Sequence, residues 1–104
     1  MDNKIEYILC AAIWYKDGKE YTGQPVNIIT GIVVPGYRHE HCIKTLGNLL
    51  NISYEHLNLK NEDMGFLTSK FRFVSRAEAR NIALEANQIS IYNEGTQLIS
   101  EELY

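Results

Sequence analysis

Ser75 stands three residues before Glu78, and the pair separates two runs of different period. Ahead of it, Phe71-Arg72-Phe73-Val74 alternates apolar and basic positions, the two-residue repeat of a half-buried strand. Behind it, Ala79, Ile82, Ala83 and Ala86 recur at helical spacing. A serine followed at that distance by a glutamate is a capping box, which satisfies free N–H groups at a helix start. The chain therefore passes from strand to helix with almost no loop between them. Such a junction excludes all-helical and all-strand folds, and the alanines let the helix lie close against a sheet.

The other elements follow from the same patterns. Residues 4–15 read as a long strand, and Asp17-Gly18 beyond it is a two-residue type I′ hairpin signal, interrupted again at Gln24-Pro25. Residues 27–34 read as a third strand, punctuated by Gly31 and stopped by Pro35-Gly36. From about Glu40 to Asn51, Ile43, Leu46, Leu49 and Leu50 predict an amphipathic helix. Residues 52–64 are polar and irregular, with room for one short turn or strand. Residues 71–74 form a strand, with Phe71 and Phe73 on one face and Lys70 and Arg72 on the other. The helix over 76–86 ends at Asn87, a left-handed stop. The tail 88–104 alternates enough for a short strand. The predicted fold is α+β: an antiparallel sheet with a long N-terminal hairpin and two helices on one face. The 104 residues make one domain, 1–104, with no room for a second core.

A hydrophobic content of 45% excludes a disordered chain. No apolar run approaches the roughly 20 residues that span a bilayer, and the charged N-terminus does not resemble a secretion signal. Cys10 and Cys42 suggest no disulfide framework. A cytoplasmic protein that makes no membrane contact is expected. Seven tyrosines and one tryptophan on so short a chain favour a homo-oligomer. Charge is uneven although the total is only −3: residues 65–80 hold four cations against Glu78, whereas 81–104 hold four glutamates and no cation. A duplex-DNA binder would carry a broad basic face instead. The distribution suits a small anion held at one spot.

Two clusters carry candidate chemistry. In the first, Lys70, Arg72, Arg76 and Arg80 interleave with Phe66, Phe71 and Phe73, the chain's only phenylalanines. Phosphates need donors and bases need a stacking surface, so cations beside aromatic rings are what a nucleotide requires. Thr68 and Ser69 serve there as phosphate or ribose donors, or as turn formers. In the second, Pro35-Gly36-Tyr37-Arg38-His39-Glu40-His41-Cys42 makes a ligand lip where a strand meets the first helix. His39, His41 and Cys42 lack a second ligand pair at zinc-finger spacing. Cys42 with His39 is formally a nucleophile and base, but Cys42 falls beside the apolar stripe, where thiols are inert. No motif calls for an enzyme, a metal or a cofactor. Trp14 reads as a core or subunit-interface anchor.

Three segments together resemble a known family: Ile-Leu-Cys-Ala-Ala-Ile-Trp-Tyr-Lys-Asp-Gly-Lys; then Gln-Pro-Val-Asn-Ile with Gly-Ile-Val-Val and Gly-Tyr-Arg-His; then Gly-Phe-Leu-Thr-Ser-Lys-Phe-Arg-Phe-Val-Ser-Arg-Ala-Glu-Ala with a terminal Ser-Glu-Glu-Leu-Tyr. The chain resembles the first described family of phage Thoeris anti-defence proteins, over nearly its whole length and in the same motif order. The family's Gly-Arg-Arg-His element differs here, with Tyr37 in place of its first arginine. The resemblance implies a non-enzymatic sponge in the cytoplasm of an infected host. Its ligand would be the cyclic ADP-ribose isomer made by the TIR protein of the Thoeris system, held where two protomers meet. It further implies a dimer or hexamer, and a separate site for cyclic oligonucleotides of the CBASS system. Carried onto this chain, it places Arg38, His39, Phe71, Arg72 and Asn81 at the nucleotide pocket, with Thr68, Ser69 and Arg76 close by. The alternatives are a small hydrolase of a cyclic nucleotide and a protein that inhibits a defence enzyme by binding it.

Overall fold

A computed structural model describes residues 5–92 and 95–104. Lys4, where the predicted first strand begins, and residues 93 and 94 of the predicted tail strand lie outside them. The elements run β1 (Ile8–Tyr15), β2 (Ile32–Gly36), α1 (His39–Leu50), β3 (Met64–Thr68), β4 (Phe73–Ser75) and α2 (Arg76–Glu85), with short 3-10 turns at Tyr54–His56, Asn61–Asp63 and Ser100–Glu102. Among the described residues the strands form a four-stranded antiparallel sheet in the order β2-β1-β3-β4. This is the α+β fold expected, with both helices on one face.

The sheet alternation decides that face. Ala11, Ile13, Val34, Phe66 and Val74 point to α1 and α2, meeting Cys42, Ile43, Leu46, Ala79 and Ala83 in the main core. Ala79 and Ala83 are fully buried, so α2 does lie close to the strands. Residues one step along, Ala12, Val33 and Phe73, point the other way and meet Trp14, Ile28 and Leu67. That second face is roofed by the connection from β1 to β2.

The connection differs from its prediction. Asp17-Gly18 turns the chain, with Gly18 at φ 77°, but no strand follows; Asp17 instead takes hydrogen bonds from the Lys19 amide and the Tyr21 hydroxyl. The hairpin closes only at β2, after residues 16–31. Residues 27–31 are not strand, because the Asn27 side chain pairs with β4. Its amide donates to the Phe73 carbonyl at 2.7 Å, and its carbonyl accepts the Phe73 N–H at 3.0 Å. Three residues earlier, Gln24 Oε1 accepts the Val33 N–H of β2 at 2.8 Å. The connection is thus a strap tied to both outer strands. Gly31, at φ 87°, is pressed against Trp14, whose indole N–H donates to the Thr30 carbonyl at 3.0 Å; a Cβ there would stand 2.4 Å from that nitrogen. Trp14 is therefore an anchor under the strap, edge-on to Phe73. Pro35 lies within β2 and does not stop it, as proline can on an outer strand.

Two further corrections concern the cation-rich segment. Met64–Thr68 is a strand (β3) that the pattern did not reveal, and β4 starts at Phe73, so Phe71 and Phe73 do not share a strand face. The tail forms a 3-10 turn at Ser100–Glu102, with no strand among its described residues. The Ser75 cap is as expected, its hydroxyl accepting the Glu78 N–H at 3.1 Å. The Glu78 carboxylate does not complete the box; it reaches Arg72 Nη2 at 3.3 Å. Asn87 takes the left-handed conformation predicted for it.

Candidate functional site

The turn joining β3 to β4 is built on one hydroxyl. Thr68 is fully buried; its Oγ1 accepts the N–H groups of Lys70 at 3.2 Å and Arg72 at 3.3 Å, and donates to Glu6 Oε2 at 2.5 Å. Those three bonds use the full capacity of a hydroxyl. The main chain adds Thr68 N–H to the Arg72 carbonyl and Phe71 N–H to the Thr68 carbonyl, each at 2.9 Å. Ser69 ties the turn to the chain start: its N–H donates to the Tyr7 carbonyl at 2.8 Å and its Oγ accepts the Tyr7 N–H at 2.9 Å.

Phe71 sits at the tip with φ 60°. The other non-glycine residues with positive φ among those described are Asn51, Asn58 and Asn87, the residue type that best tolerates it. A phenylalanine there is strained, by about 1–3 kcal/mol, and persists only where its surroundings impose it. The Thr68 clamp imposes it from one side. The strap imposes it from the other, through the Val26 N–H donating to the Phe71 carbonyl at 2.8 Å. The ring is left 43% exposed, whereas Phe66 and Phe73 are buried.

Arg72 beside it is half-buried and bidentate to Glu6, with Nε and Nη2 each at 2.9 Å from a carboxylate oxygen. The Arg72 guanidinium foremost, with the Thr68 hydroxyl, holds the Glu6 carboxyl below its ordinary value of 4.5.

Arg38 and His39 lie at the entry to α1 and belong to a different neighbourhood. The Arg38 guanidinium sits between the rings of Tyr37 and Tyr104, 4.6 and 4.9 Å from their centroids. It donates to Ser100 Oγ at 3.0 Å and to the Tyr104 main-chain oxygen at 2.6 Å. His39 Nε2 lies 2.8 Å from the Gly65 carbonyl, which only accepts, so this nitrogen carries the proton. The ring is edge-on to Phe66. Burial pushes the His39 pKa below 6.5, and Arg76 adds to this, against the pull of the Gly65 bond and of Glu101. Arg76 itself donates to Asn61 Oδ1. Asn81 is on the exposed side of α2.

Apart from Asn81, the expected pocket residues thus fall into two groups. Thr68, Ser69, Phe71 and Arg72 share the β3–β4 turn, whereas Arg38, His39 and Arg76 share the helix entries with the chain's C-terminal turn. Among the described residues, no hydrogen bond or ion pair joins the groups. Sequence reading missed Glu6, Asn27 and Tyr104, which act on residues 46 to 67 positions away. Nothing local marks them. Cys42 is fully buried and its thiol is pushed up to about 12 by burial. Among the described residues no group of three His, Cys, Asp or Glu side chains is placed to hold a metal ion, and no helix is long and apolar enough to cross a membrane.

A family model described as the phage T4 y16D protein matches residues 7–104. The chain belongs to that family. The y16D match agrees with the phage origin that the resemblance implies, and its description names no ligand or reaction. Among curated proteins and solved structures, none matches the chain.

His39 gives this y16D-family protein a pH-dependent stability. The folded state disfavours the charged ring, while the unfolded chain protonates near pH 6.5. The His39 contribution is full above that pH and is lost as pH falls through the lower, folded value. The melting temperature should therefore drop between pH 7.5 and 5.5, and His39→Gln should flatten that slope. A slope unchanged by the substitution would assign it to other groups.

Proposed function

We propose that the protein is an anti-defence sponge that sequesters, without cleaving it, the cyclic ADP-ribose isomer made by Thoeris TIR proteins in the cytoplasm of the infected host. The observation that carries this reading is Phe71: an exposed ring held in a strained backbone state, with Lys70 and Arg72 on either side in the chain. Strain of this kind gathers at ligand clamps. An aromatic face beside cations matches the base and the pyrophosphate of such a ligand.

Capture is favoured over hydrolysis by the state of the candidate nucleophiles. The Thr68 hydroxyl is saturated, Ser69 Oγ is bonded to the Tyr7 amide, and the Cys42 thiol is buried with a raised pKa. Ser53 Oγ does lie 2.8 Å from His56 Nδ1, but that pair is on an exposed turn and belongs to neither group of expected pocket residues. Affinity is sufficient without chemistry. A ligand of roughly 35 non-hydrogen atoms at about 0.3 kcal/mol each reaches about 10 kcal/mol, or a Kd of tens of nanomolar. A homo-oligomer with pockets shared between protomers is part of the same reading.

The test is release after denaturation. The protein is loaded with the isomer purified from a TIR reaction, freed of excess, heated and chromatographed. Intact isomer in the released fraction is the expected result. A breakdown product would make the protein a hydrolase, and no retained nucleotide would leave an inhibitor that acts on a protein.

A further inference from the structure

The guanidinium that the capture reading assigns to phosphate already holds an anion. Glu6 takes Arg72 Nε and Nη2 in the two-pronged geometry a phosphate adopts on arginine. Glu78 lies against the same Nη2 at 3.3 Å. Among the described residues Lys70 is the other cation acting on Glu6, so Arg72 and Lys70 face Glu6 and Glu78.

Residues 5–7 precede β1 and belong to no strand. Besides the Glu6 carboxylate, Tyr7 holds them down through its paired bonds with Ser69, and Ile5 and Tyr7 are exposed. The next residue is fixed independently of them. The Gln88 side chain accepts the Ile8 N–H at 2.7 Å and donates to the Ile8 carbonyl at 2.8 Å, so movement of residues 5–7 stops there.

We infer that Glu6 is a specificity-determining residue, an internal competitor whose carboxylate occupies the phosphate seat of Arg72 and sets the affinity a nucleotide anion must exceed to enter. The inference rests on the capture reading. A monoanion that displaces Glu6 exchanges one charged pair for another and loses the Thr68 and Ser69 bonds as well. A pyrophosphate brings a second charge, which Lys70 can meet. Displacement therefore leaves a monoanion with no net gain, whereas a pyrophosphate adds the Lys70 pairing and enters. A carboxylate that merely orients Arg72 predicts the reverse, since its removal would weaken binding.

The experiment titrates the full chain, Glu6→Gln and Glu78→Gln with the TIR-derived cyclic ADP-ribose isomer and with 3′,5′-cyclic AMP, a monoanion. Glu6→Gln should bind the isomer about 10- to 150-fold more tightly, a range set by the strength of one charge-assisted bond. It should also acquire measurable binding of cyclic AMP. Glu78→Gln, which removes the same charge from the same guanidinium's outer side, should change affinity less than about threefold. Equal or weaker binding by Glu6→Gln, or an equal gain in Glu78→Gln, overturns the inference and leaves the capture reading in place. Binding of neither probe by wild type or Glu6→Gln overturns both. Should Glu6→Gln not fold, hydrogen exchange on the unaltered protein decides the matter: amides 5–7 should exchange faster with the isomer present, and unchanged or slower exchange overturns the inference.

Discussion

Phe71→Ala is expected to weaken binding of the cyclic ADP-ribose isomer at least tenfold while leaving the melting temperature of the free protein nearly unchanged. Stacking of a base on an aromatic side chain is worth about 1–3 kcal/mol, and a ring 43% exposed contributes little to the core. Phe71→Gly separates binding from folding. At φ 60° glycine relieves about 1 kcal/mol of backbone strain, so this variant should be the more stable protein and the poorer binder. Calorimetry and thermal melts on the same samples check both signs. Unchanged affinity in both variants would remove the β3–β4 turn from the ligand site.

Gly65→Ala is expected to be the most damaging single methyl in the molecule. Gly65 is glycine for lack of space, not for its dihedral angles. A Cβ there would lie 2.1 Å from the Val74 carbonyl oxygen and 2.8 Å from the Phe73 ring. The ring can rotate away, but the oxygen belongs to the β3–β4 ladder and cannot. The same residue's carbonyl accepts the His39 Nε2–H bond, so a displaced β3 also loosens the entry to α1. Overpacking of a tight core costs about 1–3 kcal/mol, and a clash with main chain should reach or exceed the upper end. In a domain of this size that is a large part of the total stability. Denaturant titration checks it, and a loss under 1 kcal/mol would contradict the close approach.

The same residues explain what the sequence made legible. Ser75, Ala79, Ala83 and Asn87 act within one or two helical turns of themselves, so the start, stop and buried side of α2 can be read locally. The α1 stripe is equally local. Strand β3 is hidden because its second residue is Gly65, a poor strand former that serves only to admit Phe73 and Val74. Asp17-Gly18 makes a turn without a hairpin because the following residues bond back to Asp17, while β1 finds its partner at residues 32–36. Phe71 looks like a strand residue in the alternating run; only the Thr68 hydroxyl and the strap at Val26, distant in sequence, twist it out. The site was legible as a composition, cations among aromatics. Its division into two neighbourhoods was not, because Glu6 and Tyr104 bridge most of the chain's length to claim Arg72 and Arg38.

The strap has a consequence for crowding inside a cell. Gln24 covers the outward N–H of Val33, Pro35 has none to offer, and Asn27 covers both polar groups of Phe73. Each outer strand thus has a side-chain amide standing where a neighbouring molecule's backbone would zip on. Fibril-like stacking is blocked at both borders.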